Sequence, residues 1–93
     1  MDMDTIEAGS ILDALLRWFR ELRYEQLAPL VGRYDCDWLD TIAPSGVVYN
    51  VQTSIRWWGD SRIRVEVTVD EGDYGDQVCG GFVVDERGQF IGE

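Results

Sequence analysis

The residue types that most often carry catalysis are scarce in this chain. It contains no His and no Lys, and all eight of its basic residues are Arg. Without His it cannot build a Ser-His-Asp or Cys-His arrangement or a His-containing metal site. Without Lys it cannot form a Schiff base or a P-loop. Because few enzymes work with carboxylate, Cys, Tyr, Ser and Arg alone, we expect a non-catalytic protein that needs no cofactor.

Two cysteines, Cys36 and Cys79, allow a single disulfide pairing. That bond would contribute about 4 kcal/mol by the loop-entropy estimate. However, the segment from Met1 to Thr5 lacks the basic region and apolar core of a secretory signal, which favours a cytoplasmic protein with reduced thiols. The pair also lacks the CxxC spacing and His partners of zinc and redox sites. We therefore expect buried, free cysteines and no metal site.

A cluster of Arg residues around one Trp is the first candidate binding surface. It comprises Arg56, Trp58, Arg62 and Arg64. Guanidinium groups bind carboxylates and phosphates in a forked geometry, and they stack on aromatic rings. These four residues therefore predict an interaction surface. The alternative is a solvated sheet face on which the Arg side chains bridge to Glu66 and the acidic loop.

Carboxylates after the second predicted strand form the second candidate, a cluster that would steer a basic partner. The cluster comprises Asp70, Glu71, Asp73 and Asp76, with Asp35, Asp37 and Asp40 as further members. An EF-hand is excluded because Gly72 occupies the third ligand position counted from Asp70. The alternative interpretation is a solvated turn that protects a sheet edge.

The charge of the whole chain narrows the class of partner. Eighteen acidic residues against eight basic ones give a net charge of −10 at pH 7. Such a field repels nucleic acids and anionic membranes and attracts basic protein surfaces. Drift in genome composition, or adaptation to salt, would produce the same bias without a functional meaning. We expect no direct binding to nucleic acid or membrane.

One helix is predicted in the N-terminal third of the chain. Its apolar positions recur with a period near 3.6 residues, and we expect it to begin near Ser10, with residues 1–9 frayed. Either the end of the main helix or a second short turn is expected between Tyr24 and Gly32, and the segment 37–43 offers Asp37 as an N-cap for one or two further helical turns. The apolar positions of the main helix are Ile11, Leu12, Leu15, Leu16, Phe19 and Leu22.

From Val47 onward the apolar period changes to two, which predicts strands over 47–58 and 62–69. The buried positions of both strands carry odd numbers. Placing both sets on one face requires a loop of three or five residues, with Ile55 opposite Val65. The same register puts Trp58 opposite Arg62 on the outer face. A third strand is predicted over 78–84, with a short fourth at 90–91, and Gly80-Gly81 indicates a bulge or a close backbone approach.

These elements predict a single α+β domain over residues 1–93, one main helix packed on a four-stranded antiparallel meander. Trp18, Trp38 and Trp57 are expected in the core. We interpret the chain as a small acidic protein-binding domain, a stoichiometric inhibitor or immunity-type protein that occludes a basic, nucleic-acid-binding surface of its partner. The alternatives are an NTF2-like or cystatin-like domain with a pocket lined by Tyr49, Thr53 and Trp57, and a structural homodimer.

Overall fold

The computed structural model describes residues 5–33, 37–71 and 77–91. They form an α+β fold, with helices α1 (Thr5–Glu21) and α2 (Tyr24–Leu27) followed by a 3₁₀ turn (Ala28–Leu30). Within these ranges, no helix is both long and apolar enough to cross a membrane. The five strands that follow are β1 (Asp37–Ile42), β2 (Val48–Trp58), β3 (Arg62–Asp70), β4 (Gln77–Val84) and β5 (Phe90–Ile91).

Helix α1 lies across β3 and β4 on one face of the sheet. Leu12, Leu16 and Phe19 recur at helical spacing, and all three side chains are buried. They face Val65, Val67 and Phe82, so the core is a single layer of aliphatic and aromatic side chains between helix and sheet. The amphipathic pattern in the sequence therefore predicted the packed face of α1 correctly.

The predicted start of α1 near Ser10 is wrong, because the helix begins at Thr5. The Ser10 hydroxyl does not cap a helix and instead donates to the carbonyl of Ile6. The added turn is held by contacts with the sheet. Ala8 is fully buried, and the Glu7 carboxylate accepts hydrogen bonds from the Tyr49 hydroxyl at 3.0 Å and the Ser45 hydroxyl at 2.5 Å.

The sheet is an antiparallel meander in which every strand pairs with its neighbour in sequence, in the order β1-β2-β3-β4-β5. The three-residue loop Gly59–Ser61 joins β2 to β3, and Ile55 pairs with Val65, as the odd-numbered apolar positions predicted. Because side chains alternate between the faces of a strand, this register places all the odd-numbered apolar residues of β3 beneath α1. Those residues are Ile63, Val65, Val67 and Val69, and none has any solvent exposure.

Strand β1 corrects the prediction of helical turns over 37–43. The segment pairs with β2 along its whole length, from Asp37 opposite Thr53 to Ile42 opposite Val48. A six-residue helix would have had few packing contacts, whereas β2 offers a long strand whose remaining edge can be paired. In the described residues the sheet consequently has five strands, four of them of substantial length, and β1 forms one edge.

Two adjacent glycines in β4 allow the close approach that the sequence indicated. A Cβ atom at Gly80 would lie 3.0 Å from Leu16 Cδ1, so the absence of a side chain lets α1 sit low on β4. A Cβ atom at Gly81 would collide with the backbone carbonyl oxygen of Val65 on β3. The two glycines thus serve opposite faces of the same strand.

The prediction that Trp18 and Trp57 are core residues is wrong. Trp18 is 54% exposed and contacts Phe19 edge to face, while Trp57 is 48% exposed at the end of β2. Trp57 does lie on the helix-side face of the sheet, but it is beyond the region that α1 covers. The side chain of Trp38 lies outside the described residues.

Candidate protein-binding surface

The four residues of the Arg and Trp cluster come together at one end of the outer sheet face, the face opposite α1. Trp58 pairs with Arg62, and Arg56 pairs with Arg64 two positions further from the β2–β3 loop. In β2 and β3 these even-numbered residues alternate with the buried odd-numbered ones, so their side chains share the outer face. We call Arg56, Trp58, Arg62 and Arg64 the tip surface.

Glu66 compensates the repulsion between the two paired Arg residues. Its Oε1 atom accepts a hydrogen bond from Arg56 Nη2 at 2.9 Å and also forms an ion pair with Arg64 Nε. Like charges directly opposite each other in adjacent strands destabilise a sheet, and a carboxylate between them reverses that effect. The bridge to Glu66, which the alternative interpretation of a solvated sheet face predicted, is present, and it joins the two Arg side chains.

Arg64 also stacks on Trp58. The guanidinium carbon lies 4.5 Å from the centroid of the indole ring, within the range of a cation–π contact. Trp58 nevertheless remains 45% exposed. The ion pair with Glu66 and the stack on Trp58 together hold Arg64 in place, so the tip surface presents an ordered aromatic and cationic plane to solvent.

A second pair of aromatic residues lies on the other side of the same hairpin end. The ring centroids of Tyr24 and Trp57 are 6.5 Å apart. The Tyr24 hydroxyl donates a 2.6 Å hydrogen bond to the Ser61 carbonyl in the hairpin loop. This contact ties α2 to the loop between β2 and β3. The sequence did not indicate this contact. The odd number of Trp57 predicts the helix-side face of the sheet correctly, but it does not show how far α1 extends over that face.

Two acidic residues, Asp40 and Asp70, lie at the opposite end of the outer face, whereas Glu66 contacts the tip surface and Asp60 lies in the β2–β3 loop. Asp40, Asn50, Asp70 and Gln77 are successive partners across β1, β2, β3 and β4. From Asn50 to Trp58 is eight residues along β2, or about 26 Å at the rise of a strand. On the outer face, the Arg residues of β2 and β3 therefore lie toward the hairpin end, and Asp40 and Asp70 lie toward the other end.

Only part of the predicted acidic steering cluster lies in the described residues. Asp70 ends β3 and Glu71 follows it, both half-buried, while Asp73 and Asp76 lie outside the described residues. Among the described side chains, no group of three or more Cys, Asp or Glu residues is placed to hold a metal ion. The structure does not bring Asp70 or Glu71 close to the tip surface.

A shallow depression of about 250 Å³ crosses the outer face above Gly81, between Arg64, Glu66 and Ile91. Cys79 lines one side; it is a free thiol and is exposed, which corrects the expectation that it is buried. Cys36 lies outside the described residues.

The residues suggested for a pocket between helix and sheet do not lie together on an open cavity. Tyr49 has no solvent exposure and Thr53 is buried, whereas Trp57 is half exposed at the hairpin end. Tyr49 uses its hydroxyl to hold Glu7 on α1. Its role in this arrangement is to fasten the helix to the sheet.

Comparison of the sequence with protein-family models gave no match, and neither did searches of curated proteins and of solved structures.

Proposed function

We propose that this chain is a non-catalytic protein-binding domain for a partner with a basic surface, and that its tip surface docks into an apolar, acceptor-bordered recess of that partner while the acidic remainder of the domain attracts the partner's basic groups. The observation that carries the proposal is the Trp58–Arg64 stack, which is ordered by Glu66 and remains half exposed. Trp and Arg are the residues in which binding energy at protein interfaces is most concentrated. An ordered pair of them loses little conformational entropy when a partner binds.

The tip surface supplies contact chemistry. The uncovered face of Trp58 can enter an apolar recess, and Arg62 on the neighbouring strand can form a forked bond with a carboxylate of the partner. Since Glu66 already engages Arg56 and Arg64, these two contribute shape and packing more than free charge. Contact therefore requires a partner with an apolar recess bordered by at least one acceptor group.

The rest of the chain supplies long-range attraction. With a net charge of −10, the domain attracts basic proteins over distances comparable to the Debye length, about 8 Å at physiological ionic strength. Such steering raises the association rate more than it lowers the dissociation rate. A basic partner that binds nucleic acid would be drawn to this domain and covered by it, so the expected outcome is stoichiometric inhibition by occlusion.

Affinity capture with paired baits tests the proposal. The wild-type domain and the Trp58→Ala/Arg62→Ala variant are immobilised separately and compared by quantitative mass spectrometry at about 0.05 M and about 0.3 M salt, which shortens the Debye length from roughly 14 to roughly 6 Å. We expect a basic protein that the wild type retains at low salt and that the variant loses. Its purified complex should be weakened by about 30-fold or more in the variant, as for an interface hot spot.

Trp18→Ala is the matched control, because Trp18 is an exposed Trp on α1, remote in sequence from the tip surface. This variant should retain the partner as the wild type does. The proposal fails if the double variant retains the same proteins as the wild type, or if Trp18→Ala loses them to the same extent. A captured partner whose binding does not respond to salt would refute the electrostatic part of the proposal.

A further inference from the structure

The edge strand β1 presents two apolar side chains to solvent, one on each face of the sheet. Leu39 is 67% exposed and Ile42 is 73% exposed, while Asp40 between them is also exposed. In the described part of the chain β1 pairs with β2 alone, so its other edge carries no partner strand. An exposed edge with apolar side chains is a template for pairing with another strand.

The direction of the backbone groups of β1 follows from one hydrogen bond. The Ala43 amide donates to the Val47 carbonyl at 2.9 Å, which continues the register that pairs Ile42 with Val48. In an antiparallel ladder the residues that bond to the partner strand alternate with those that do not. The N–H and C=O groups of Asp40 and Ile42 therefore point away from β2, toward the open edge.

The charge around this edge selects the strand that can bind there. Asp40 lies in a row with Asn50 and Asp70, and that row contains no basic residue. An incoming strand places one side chain directly beside Asp40 on the outer face, where an opposite charge stabilises the pairing and a like charge opposes it. A second copy of this chain, also carrying −10, is disfavoured by the repulsion between the two domains.

We propose that the open edge of β1 binds an extended basic segment of another protein by β-strand addition. Backbone hydrogen bonds to Asp40 and Ile42 would supply affinity, and alternate side chains would supply specificity. A Lys or Arg would lie beside Asp40, and an apolar residue would lie beside Leu39 on the opposite face. This site is about 26 Å from the tip surface along β2, so the two surfaces are tested independently.

A short acetylated peptide of alternating Lys and Val, titrated into the isotopically labelled wild-type domain, is the probe. We expect saturable chemical-shift changes in the amides of Asp40 and Ile42, with little change at Trp58. A peptide of alternating Glu and Val should bind at least about tenfold more weakly, since the change reverses the interaction with Asp40. Binding that maps elsewhere, or equal affinity for both peptides, would overturn the proposal.

Two matched substitutions separate backbone pairing from side-chain contact. Ile42→Pro removes an outward N–H that β2 does not use, and proline is tolerated on the free side of an edge strand. Ile42→Ala removes the side chain and keeps that N–H. We expect the Lys-Val peptide to bind about tenfold more weakly to Ile42→Pro than to Ile42→Ala, the loss of roughly one hydrogen bond. Equal affinities, or a concentration-dependent dimer of the wild type that excludes the peptide, would refute strand addition.

Discussion

Gly81 lies so close to the backbone of β3 that a side chain does not fit at this position. A Cβ atom at position 81 would collide with the carbonyl oxygen of Val65, which belongs to the fully buried run of β3. A backbone carbonyl in the middle of a sheet cannot swing aside as a side chain can. The substitution Gly81→Ala must therefore displace one strand from the other.

The expected cost follows from the size of that displacement. Restoring an ordinary carbon–oxygen contact requires a shift of roughly 1 Å between β3 and β4. Overpacking in a well-packed interior costs about 1–3 kcal/mol, and a backbone collision lies at the upper end, near 3 kcal/mol. A domain of this size unfolds with a free energy of about 5–14 kcal/mol. We expect the melting temperature to fall by about 12–24 °C.

Urea denaturation followed by Trp fluorescence measures this cost, and two other glycines serve as controls. Gly80→Ala meets only side-chain ends, those of Leu16 at 3.0 Å and Leu12 at 3.6 Å, and should lose less than about 1 kcal/mol. Gly9→Ala, in open space on α1, should gain about 0.5–1 kcal/mol from helix propensity. The reasoning is refuted if Gly81→Ala is no less stable than Gly80→Ala.

Two further predictions concern the polar contacts of the sheet. Glu66→Gln should lower the free energy of unfolding by about 1 kcal/mol at low salt and by less at high salt, because it leaves Arg56 and Arg64 opposed in partly exposed positions. Adding Arg56→Met should restore most of the lost stability. A salt-independent effect in urea titrations would contradict this account. Tyr49→Phe should lower the free energy of unfolding by about 1–2 kcal/mol and expose the first turn of α1 to hydrogen exchange, since Glu7 loses a hydroxyl donor. Unchanged protection of the Ala8 amide would show that the contact does not hold that turn.

The central hairpin could be predicted from sequence because two patterns constrain each other. The apolar residues of both strands, from Val51 to Val69, have odd numbers and must lie on the same side of the sheet. That condition requires an odd number of residues in the loop between the strands. The same argument placed Trp58, Arg56 and Arg64 on one outer face. The bridge from Arg56 and Arg64 to Glu66 is the contact predicted by the alternative interpretation, a solvated sheet face.

The errors arose where tertiary contacts decide the outcome. The segment from Asp37 to Ile42 has an N-cap residue and a following proline, and both are compatible with a helix, but the free edge of β2 pairs it as a strand. The first turn of α1 depends on Tyr49, which is distant in sequence. The exposure of Trp57 depends on how far α1 extends over the sheet. None of these is visible in local periodicity.

The packing of α1 on β3 and β4 affects how long the helix stays uncovered while the chain is synthesised. The helix leaves the ribosome first, yet its apolar stripe packs against strands that run from Arg62 to Val84. Isolated helices of this length are marginally stable in water. The nascent chain must therefore carry Leu12, Leu16 and Phe19 uncovered until the last long strand is made, and this interval is when a chaperone that recognises short apolar helices would engage it.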